Sequence, residues 1–335
     1  MSLKILVTGG AGFIGSALIK ILINDYGHDV INIDKLTYAA NLKSLESLES
    51  SNKYKFYKCD ICDFDMLKEI FTREQPDKIM HLAAESHVDR SISISMDFIQ
   101  TNIFGSYQLL EVSRNYFNEL SSHKKNIFTF HHISTDEVYG DLKLGEPSFT
   151  ESTSYKPSSP YSASKASSDH LVRAWYRTYG LPIVITNCSN NYGPFQNDEK
   201  LIPTIIRKLT SGDKVPIYGK GNQIRDWLYV NDHAHALHEV SMEGKIGETY
   251  NIGGNSERTN IEVVKEIWQV LRGNNSDFLK INDKFENCIE FITDRPGHDF
   301  RYAIDSSKIF KNLGWNPNET FESGIKITVD WYIKN

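Results

Sequence analysis

The first half of the chain alternates two hydrophobic patterns. Short apolar runs at Leu3–Thr8, His28–Asp34, Tyr54–Asp60, Lys78–Ala83, Ile127–Ser134 and Ile183–Asn187 read as strands. Between them, Phe13–Tyr26 carries Ile14, Leu18, Ile21 and Leu22 at helical spacing, and Asp63–Arg73, Phe98–Phe117 and Tyr161–Tyr179 also read as helices. Strands alternating with helices require right-handed crossovers and a parallel sheet covered on both faces, so the predicted class is α/β with a doubly wound parallel sheet.

The second half is less regular. Pro194, Pro203, Pro216, Gly219, Gly221, Gly253 and Gly254 punctuate it, and helices are predicted near Leu201–Leu209, His233–Met242, Ile261–Leu271 and Phe321–Tyr332. It reads as a smaller α/β domain whose chain returns to the sheet at least once. The predicted division assigns 1–187 and 224–252 to the first domain, and 188–223 and 253–335 to the second. The serine-rich stretch Ser44–Ser51 reads as a surface loop or a frayed helix.

Composition narrows the classes. At 335 residues the chain can bury a substantial core without metals or disulfides. Hydrophobic residues at 40% and charged residues at 24% exclude disorder throughout. A net charge of −6 argues against nucleic-acid binding through a basic surface. No long uncharged apolar run is present, so no transmembrane helix is expected. Strand-like sequence from Leu3 leaves no room for a signal peptide, and the expected location is the cytoplasm. Cys59 and Cys62 have CxxC spacing, but no second CxxC or paired histidine motif follows; with Cys188 and Cys288 they read as reduced thiols.

Thr8–Gly15 reads TGGAGFIG, with Gly9, Gly12 and Gly15 at three-residue intervals around Phe13 and Ile14. A chain turning sharply from strand to helix, pressed close to a pyrophosphate, needs residues without Cβ there, and the helix start points N–H groups at the anion. The second strand ends in Asp34, whose carboxylate can accept both hydroxyls of a ribose and would repel a 2′-phosphate, favouring NAD over NADP. Asp60 and Ile61 close the third strand, where a carboxylate and an apolar side chain suit an adenine. Leu82, Ala83 and Ala84 close the fourth, where small residues let a cofactor pass or simply pack closely.

Tyr161 and Lys165 form Y-x-x-x-K on a predicted helix, where i,i+4 spacing puts both on one face. A phenol titrates near about 10, too high for a base at neutral pH, and an adjacent ammonium is expected to lower that value. Lys165 is also suited to a nicotinamide ribose. Such a pair is common on surface helices; it gains weight here from the dinucleotide loop and from a fifth strand ending in Ser134 and Thr135.

Together these residues resemble the extended short-chain dehydrogenases/reductases that act on nucleotide sugars, which implies a Rossmann-type sheet with a smaller α/β substrate domain. Four segments narrow the resemblance to the dTDP-glucose 4,6-dehydratase family: Asp34–Tyr38 (DKLTY), His81–Ser91 (HLAAESHVDRS), Ser134–Gly140 (STDEVYG) and Asp294–Asp299 (DRPGHD). The resemblance runs over nearly the whole chain, Leu3 to Trp331. It implies a lyase with tightly bound NAD that is regenerated at each turnover: C4 is oxidised, water is lost across C5–C6, and hydride returns to C6, giving dTDP-4-keto-6-deoxyglucose. The chemistry is coherent, because the C5 proton becomes acidic only when C4 is a ketone.

The resemblance also implies roles. Tyr161, with Thr135 and Lys165, takes the C4 hydroxyl proton; Glu137 removes the C5 proton; Asp136 protonates the leaving C6 hydroxyl. Two carboxyl groups with opposed tasks need environments that separate their pKa values. Neighbours on an extended strand point to opposite faces, so both reach one substrate only if the backbone turns there; without the motif, a solvated Asp-Glu pair is the ordinary reading. Implied cofactor contacts are Gly9, Gly12, Phe13, Ile14, Gly15, Asp34, Lys35, Leu36, Thr37, Asp60, Ile61, Leu82, Ala83, Ala84, Ser86, Thr101, Tyr161, Lys165 and Asn191. Implied substrate contacts are Ser86, Thr135, Asn190, Lys200, Leu201, Pro216, Ile217, Tyr218 (against the base), Arg225, Asn260, Asp294, Arg295, Pro296, Gly297 and His298, the guanidinium forks being suited to phosphate. Family members are usually homodimers joined through two long helices, here Phe98–Phe117 and Tyr161–Tyr179.

Three readings compete with the dTDP-glucose assignment: a dehydratase for a UDP or CDP sugar, a nucleotide-sugar 4-epimerase, and a non-enzymatic dinucleotide sensor. The epimerase has no use for Asp136 and Glu137, and the sensor none for Tyr161, Lys165 and Thr135. His131, His132, His233, His235 and His238 invite a metal, but no acidic ligand cluster accompanies them, and none is expected.

Overall fold

The computed structural model describes residues 2–273, 284–294 and 297–335. Seven parallel strands form the central sheet: β1 (Lys4–Thr8), β2 (Asp29–Asp34), β3 (Tyr54–Lys58), β4 (Lys78–His81), β5 (Thr129–Thr135), β6 (Ile183–Cys188) and β10 (Thr249–Ile252), in the order β10-β6-β5-β4-β1-β2-β3. Successive side chains of β1 serve opposite faces. Ile5 and Val7 join Leu18, Leu22 and Leu237 on one side, and Leu6 joins Ile31, Leu110 and Phe130 on the other. Every one of these residues is nearly or fully buried, which is why the strands read as unbroken apolar runs. The strand order reverses between β1 and β4, and a crevice opens at the carboxyl ends of the strands there.

The long helix expected at Phe98–Phe117 takes a different course. A short helix at Ser95–Phe98 runs through a π-helical segment, Ile99–Gly105, into the helix Ser106–Glu119. Side-chain demands explain the wider turn. Asn102 donates to the Glu85 carbonyl at 3.0 Å and to Ser164 Oγ at 2.8 Å, and its Oδ1 accepts from Glu85 N at 2.8 Å. At Gly105 a Cβ would come within 2.7 Å of the Ile61 side chain. Such segments collect at functional sites, and apolar periodicity does not reveal them.

The remaining strands build two small sheets. β7 (Asn190–Tyr192), β9 (Ile224–Tyr229) and β11 (Glu257–Thr259) form one, ordered β11-β9-β7, while β8 (Val215–Tyr218) and β12 (Ile289–Ile292) pair in parallel. The residues 224–229, grouped above with the first domain, thus hydrogen-bond to strands of the second half. The helix that follows, Val230–Glu243, packs on the Phe13–Asn24 helix of the central unit, where Tyr26 stacks on His238 at 3.4 Å between ring centroids. Ser44–Ser51 is largely a 3₁₀ turn, Leu42–Leu48, capped by the Asn41 side chain.

The glycine loop shows why no side chain fits. Gly9 has φ of +73°, and a Cβ on it would lie 2.7 Å from the Ala83 backbone. A Cβ on Gly15 would lie 2.2 Å from the Gly9 carbonyl oxygen. Gly15→Ala is therefore expected to cost ~1–3 kcal/mol of unfolding free energy through forced overpacking, read from the urea midpoint.

Candidate active site

A cleft of about 300 Å³ follows the carboxyl ends of the central strands. It collects most of the residues singled out from the sequence. Gly9, Gly12, Phe13, Ile14 and Gly15 form its floor, and Asp34, Lys35, Thr37, Ile61, Leu82, Ala83, Ala84, Ser86 and Thr101 line one end. Thr135, Asp136, Glu137, Tyr161, Lys165, Asn190, Asn191 and Lys200 line the other. Gly12 caps the Phe13–Asn24 helix without a side-chain hydrogen bond, which leaves the anion-attracting start of that helix without a side-chain cap. Asp34 anchors the loop, with Oδ2 accepting from Ala11 N at 3.0 Å and Oδ1 from Leu36 N at 2.8 Å. Burial raises its pKa, opposed by those two amides. The donor set, the missing Cβ atoms and the carboxylate fit NAD.

Beneath the floor a hydrogen-bonded chain holds β4 to the π-helical segment. Ser106 Oγ donates to the Asn102 carbonyl at 2.6 Å, so it accepts from His81 Nε2 at 2.9 Å, and His81 Nδ1 in turn accepts from Thr8 Oγ1 at 2.8 Å. Burial keeps His81 neutral, in accord with that tautomer.

The catalytic end turns on one local feature. β5 stops at Thr135, and Asp136–Tyr139 forms a 3₁₀ turn capped by the Thr135 hydroxyl, which accepts from Glu137 N at 3.3 Å. The backbone leaves the extended path there, which lets both carboxylic residues line one cleft. Asp136 is 1% exposed, and its Oδ2 has no hydrogen-bond partner among the described residues. Burial, then the charges of Glu137 and Asp226, push its pKa well above the ordinary range, with Arg225 opposing. Each of the raising causes favours the protonated carboxylic acid.

Tyr161 and Lys165 are buried on the Pro160–Tyr179 helix. The expected lowering of the phenol by Lys165 is not found. Burial and then Glu137 push Tyr161 well above its usual value, opposed by Thr135. Lys165 is not among the main influences on the phenol, and its ammonium donates to the Ile133 carbonyl at 2.9 Å. Burial lowers the pKa of Lys165, and Asp169 opposes that. Asp169 is itself buried against His132, 3.1 Å away, and accepts from Tyr155 at 2.8 Å.

The remaining expected residues fall elsewhere. Leu36 and Asp60 sit beside the cleft: Leu36 N holds Asp34, and Asp60 accepts from Cys62 N at 2.9 Å. Asn191 bonds His233 at 2.8 Å and the Ser189 carbonyl at 2.9 Å. A second cluster gathers Tyr218, Asp294 and His298, whose Nδ1 is 2.6 Å from Asp294 Oδ1, with the His298 ring edge-on to Tyr218 at 6.0 Å. Gln223, not anticipated, joins it by donating to Asp294 at 2.8 Å, and its carbonyl accepts from Asn260 N at 3.0 Å. Gly297 is near that cluster in sequence and has φ of +65°. Pro216 and Ile217 belong to β8, and Ile217 is buried in the core of the second half, while Leu201 opens a helix. Arg225 is 7% exposed, donates to the Ile224, Asp299 and Phe300 carbonyls, and lies over Tyr302 at 4.4 Å. Its terminal nitrogens are thus oriented by backbone carbonyl oxygens. Arg295 and Pro296 lie outside the described residues. Tyr38, His87, Ser134, Cys188 and Gln196 line the cleft without having been singled out; Tyr38, His87 and Ser134 lie within the quoted motifs, so adjacency was the available signal. Burial raises the Cys59 thiol to about 12 and the Cys62 thiol to about 11, which disfavours their thiolates.

The glycine loop on a doubly wound sheet, with Tyr161 and Lys165 on the helix after β5, defines an extended short-chain dehydrogenase/reductase. A family model described as GDP-mannose 4,6 dehydratase matches residues 6–328. The dTDP-glucose 4,6-dehydratase of Escherichia coli is 60% identical over 99% of this chain and 94% of its own length, and that of Haemophilus influenzae 58% over 99% and 98%. Among solved structures, a dTDP-glucose 4,6-dehydratase from Bacillus anthracis in complex with NAD has a TM-score of 0.88 at 41% identity, covering 100% of this chain and 97% of that one. A UDP-glucose 4-epimerase from Thermotoga maritima reaches 0.86 at 30% identity, covering 99% of each. The chain belongs to the nucleotide-sugar 4,6-dehydratases and, within them, to the dTDP-glucose 4,6-dehydratase family.

A raised native pKa means that the folded state binds the Asp136 proton more tightly than the unfolded state does. The stability from this group is present below about 4 and lost as pH rises through the native value. Asp136→Asn should therefore lose less unfolding free energy than the parent as pH is raised to neutrality. The infrared band of a protonated carboxyl should vanish at neutral pH in the variant; a parent lacking that band would show Asp136 ionised.

Proposed function

We propose that this chain is an NAD-dependent hydro-lyase that converts dTDP-glucose to dTDP-4-keto-6-deoxyglucose. The observation that carries the reading is the 3₁₀ turn at Asp136–Tyr139, which places a buried carboxylic acid and a second carboxyl residue in the cleft that Tyr161 lines. When bound, NAD accepts the hydride from C4 and returns it to C6. Tyr161 takes the proton of the C4 hydroxyl, with Thr135 as its hydrogen-bonding neighbour and Lys165 holding the positive charge beneath. Glu137 removes the C5 proton. Asp136 gives its own proton to the C6 hydroxyl, which leaves as water, and a proton returns to C5. The central sheet serves NAD, and the second half serves the nucleotide sugar, with Asn190, Lys200, Arg225, Asn260 and the Tyr218–Asp294–His298 cluster as its contacts.

The epimerase neighbour shares the fold, so the sheet does not separate the two chemistries; the acid pair does. Incubation with dTDP-glucose in heavy water should give a 4-keto-6-deoxy sugar nucleotide with deuterium at C5, and recovery of a C4 epimer would reject the reading. Glu137→Gln should slow turnover by about 10²–10⁴, the usual worth of a positioned base, while leaving NADH trapped after C4 oxidation. Tyr161→Phe should lose NADH formation as well.

The functional unit we propose is a cytoplasmic homodimer. Ile94, Met96, Ile99, Phe104, Tyr107 and Tyr179 are exposed on and beside the two long helices, an apolar patch of the kind a second copy covers. Phe104→Glu should halve the mass seen by light scattering; an unchanged mass would place the interface elsewhere.

A further inference from the structure

Two of the sequence motifs carry residues that the reaction does not use, Tyr38 in DKLTY and Arg90 in HLAAESHVDRS. They meet at the mouth of the cleft. Arg90 lies on a short helix, Val88–Ser93, with its guanidinium 3.7 Å from the centroid of the Tyr38 ring. Its Nε and terminal nitrogen donate to the two oxygens of Glu199 at 3.2 and 2.7 Å, a bidentate pair. His87 Nε2 is 3.6 Å from the same carboxylate, and the next residue of that turn, Lys200, donates to the Ser86 carbonyl at 3.1 Å. Three segments are thereby tied: the loop after β2, the segment after β4, and the turn that leads into the Leu201–Thr210 helix. Tyr38, Ser86, His87 and Lys200 face the cleft, and Arg90 and Glu199 stand behind them, outside its lining.

We propose that the Arg90–Glu199 pair, clamped on Tyr38, is a latch that retains NAD in the cleft between turnovers. The inference rests on the dehydratase reading, in which the cofactor ends each cycle in the state in which it began and gains nothing by leaving. The cleft joins the glycine loop to Tyr161 as one cavity, and its outer wall at Tyr38 is joined across by charge and stacking, so holding that wall in place slows the exit of a ligand that spans the cleft. Arg90 and Glu199 are positioning residues, touching neither the cofactor loop nor the reacting end. Their side chains are 39% and 42% exposed, so salt should weaken the latch.

The test uses purified holoenzyme of the parent, Arg90→Ala, Glu199→Gln and the double exchange Arg90→Glu with Glu199→Arg. NAD remaining after dialysis is measured chromatographically on denatured protein. Arg90→Ala should lose NAD about tenfold faster than the parent, the sum of one half-exposed bidentate pair and one cation–π contact, and Glu199→Gln, which keeps the cation–π contact, about threefold faster. The double exchange should restore most of the retention, and high salt should speed loss from the parent but not from Arg90→Ala. With saturating NAD, kcat of the single variants should match the parent. Parent-like retention in both single variants would overturn the latch, as would a double exchange no better than either, or a fall in kcat with NAD still bound. A parent that binds no NAD would instead refute the cofactor reading beneath it.

Discussion

The contact on which the rest depends is backbone against backbone. Gly9 lies so close to Ala83 that a Cβ has no room, and a Cβ on Gly15 would have still less room against the Gly9 carbonyl. This packing lets β1 turn into a helix within a few residues while β4 ends alongside it. Because the strand order reverses between these two strands, their carboxyl ends form a crevice, and the start of the helix faces it without a side-chain cap. Thr8, His81, Ser106 and Asn102 continue the same constraint downward in a chain of hydrogen bonds whose direction is set by one backbone carbonyl. The π-helical segment is where that chain meets the Asn102 contacts with Glu85 and Ser164, so cofactor floor and helix geometry are one feature.

At the reacting end burial does most of the electrostatic work. It favours the protonated form of the Asp136 carboxyl, and makes the Tyr161 phenol harder to ionise and the Lys165 ammonium easier to neutralise. Only the first favours its role directly. The phenol needs a nearby positive charge at the moment it acts, and in this geometry the Lys165 ammonium is directed to a β5 carbonyl and countered by Asp169. A buried group of this kind is poised by what occupies the cleft, because any charge placed in a site of low polarity shifts its neighbours strongly.

The same sheet supports epimerases, and the likeness in fold at 30% identity to one of them makes that concrete. In the proposed reading the two chemistries are separated by the carboxyl pair Asp136 and Glu137, which this chain carries on a four-residue turn at the end of β5. Function on such a fold lies in the side chains at strand ends, and small changes of backbone path there redirect them.

Much of this was legible along the chain. Apolar runs and helical spacing mark the six strands of the first half and the helices Phe13–Asn24, Phe64–Glu74 and Pro160–Tyr179 to within a few residues, because burial imposes their patterns directly on composition. The glycine loop, Asp34, and the Tyr161–Lys165 pair were legible because each is local: a turn without Cβ, a strand end, one helical turn. The π-helical segment, the membership of residues 224–229 in a small sheet, and the Gln223 contact with Asp294 were not, since each is decided by partners distant in sequence. The burial that raises the Tyr161 phenol is likewise set by distant partners. Spacing shows that two side chains share a helix face, but not which distant carbonyl one of them reaches. Asp136 and Glu137 mark the division. Their identity is written in the sequence, while their common aim into one cleft is decided by a 3₁₀ turn whose cap, burial and neighbouring charges exist only once β5, β9 and the Pro160–Tyr179 helix have packed together.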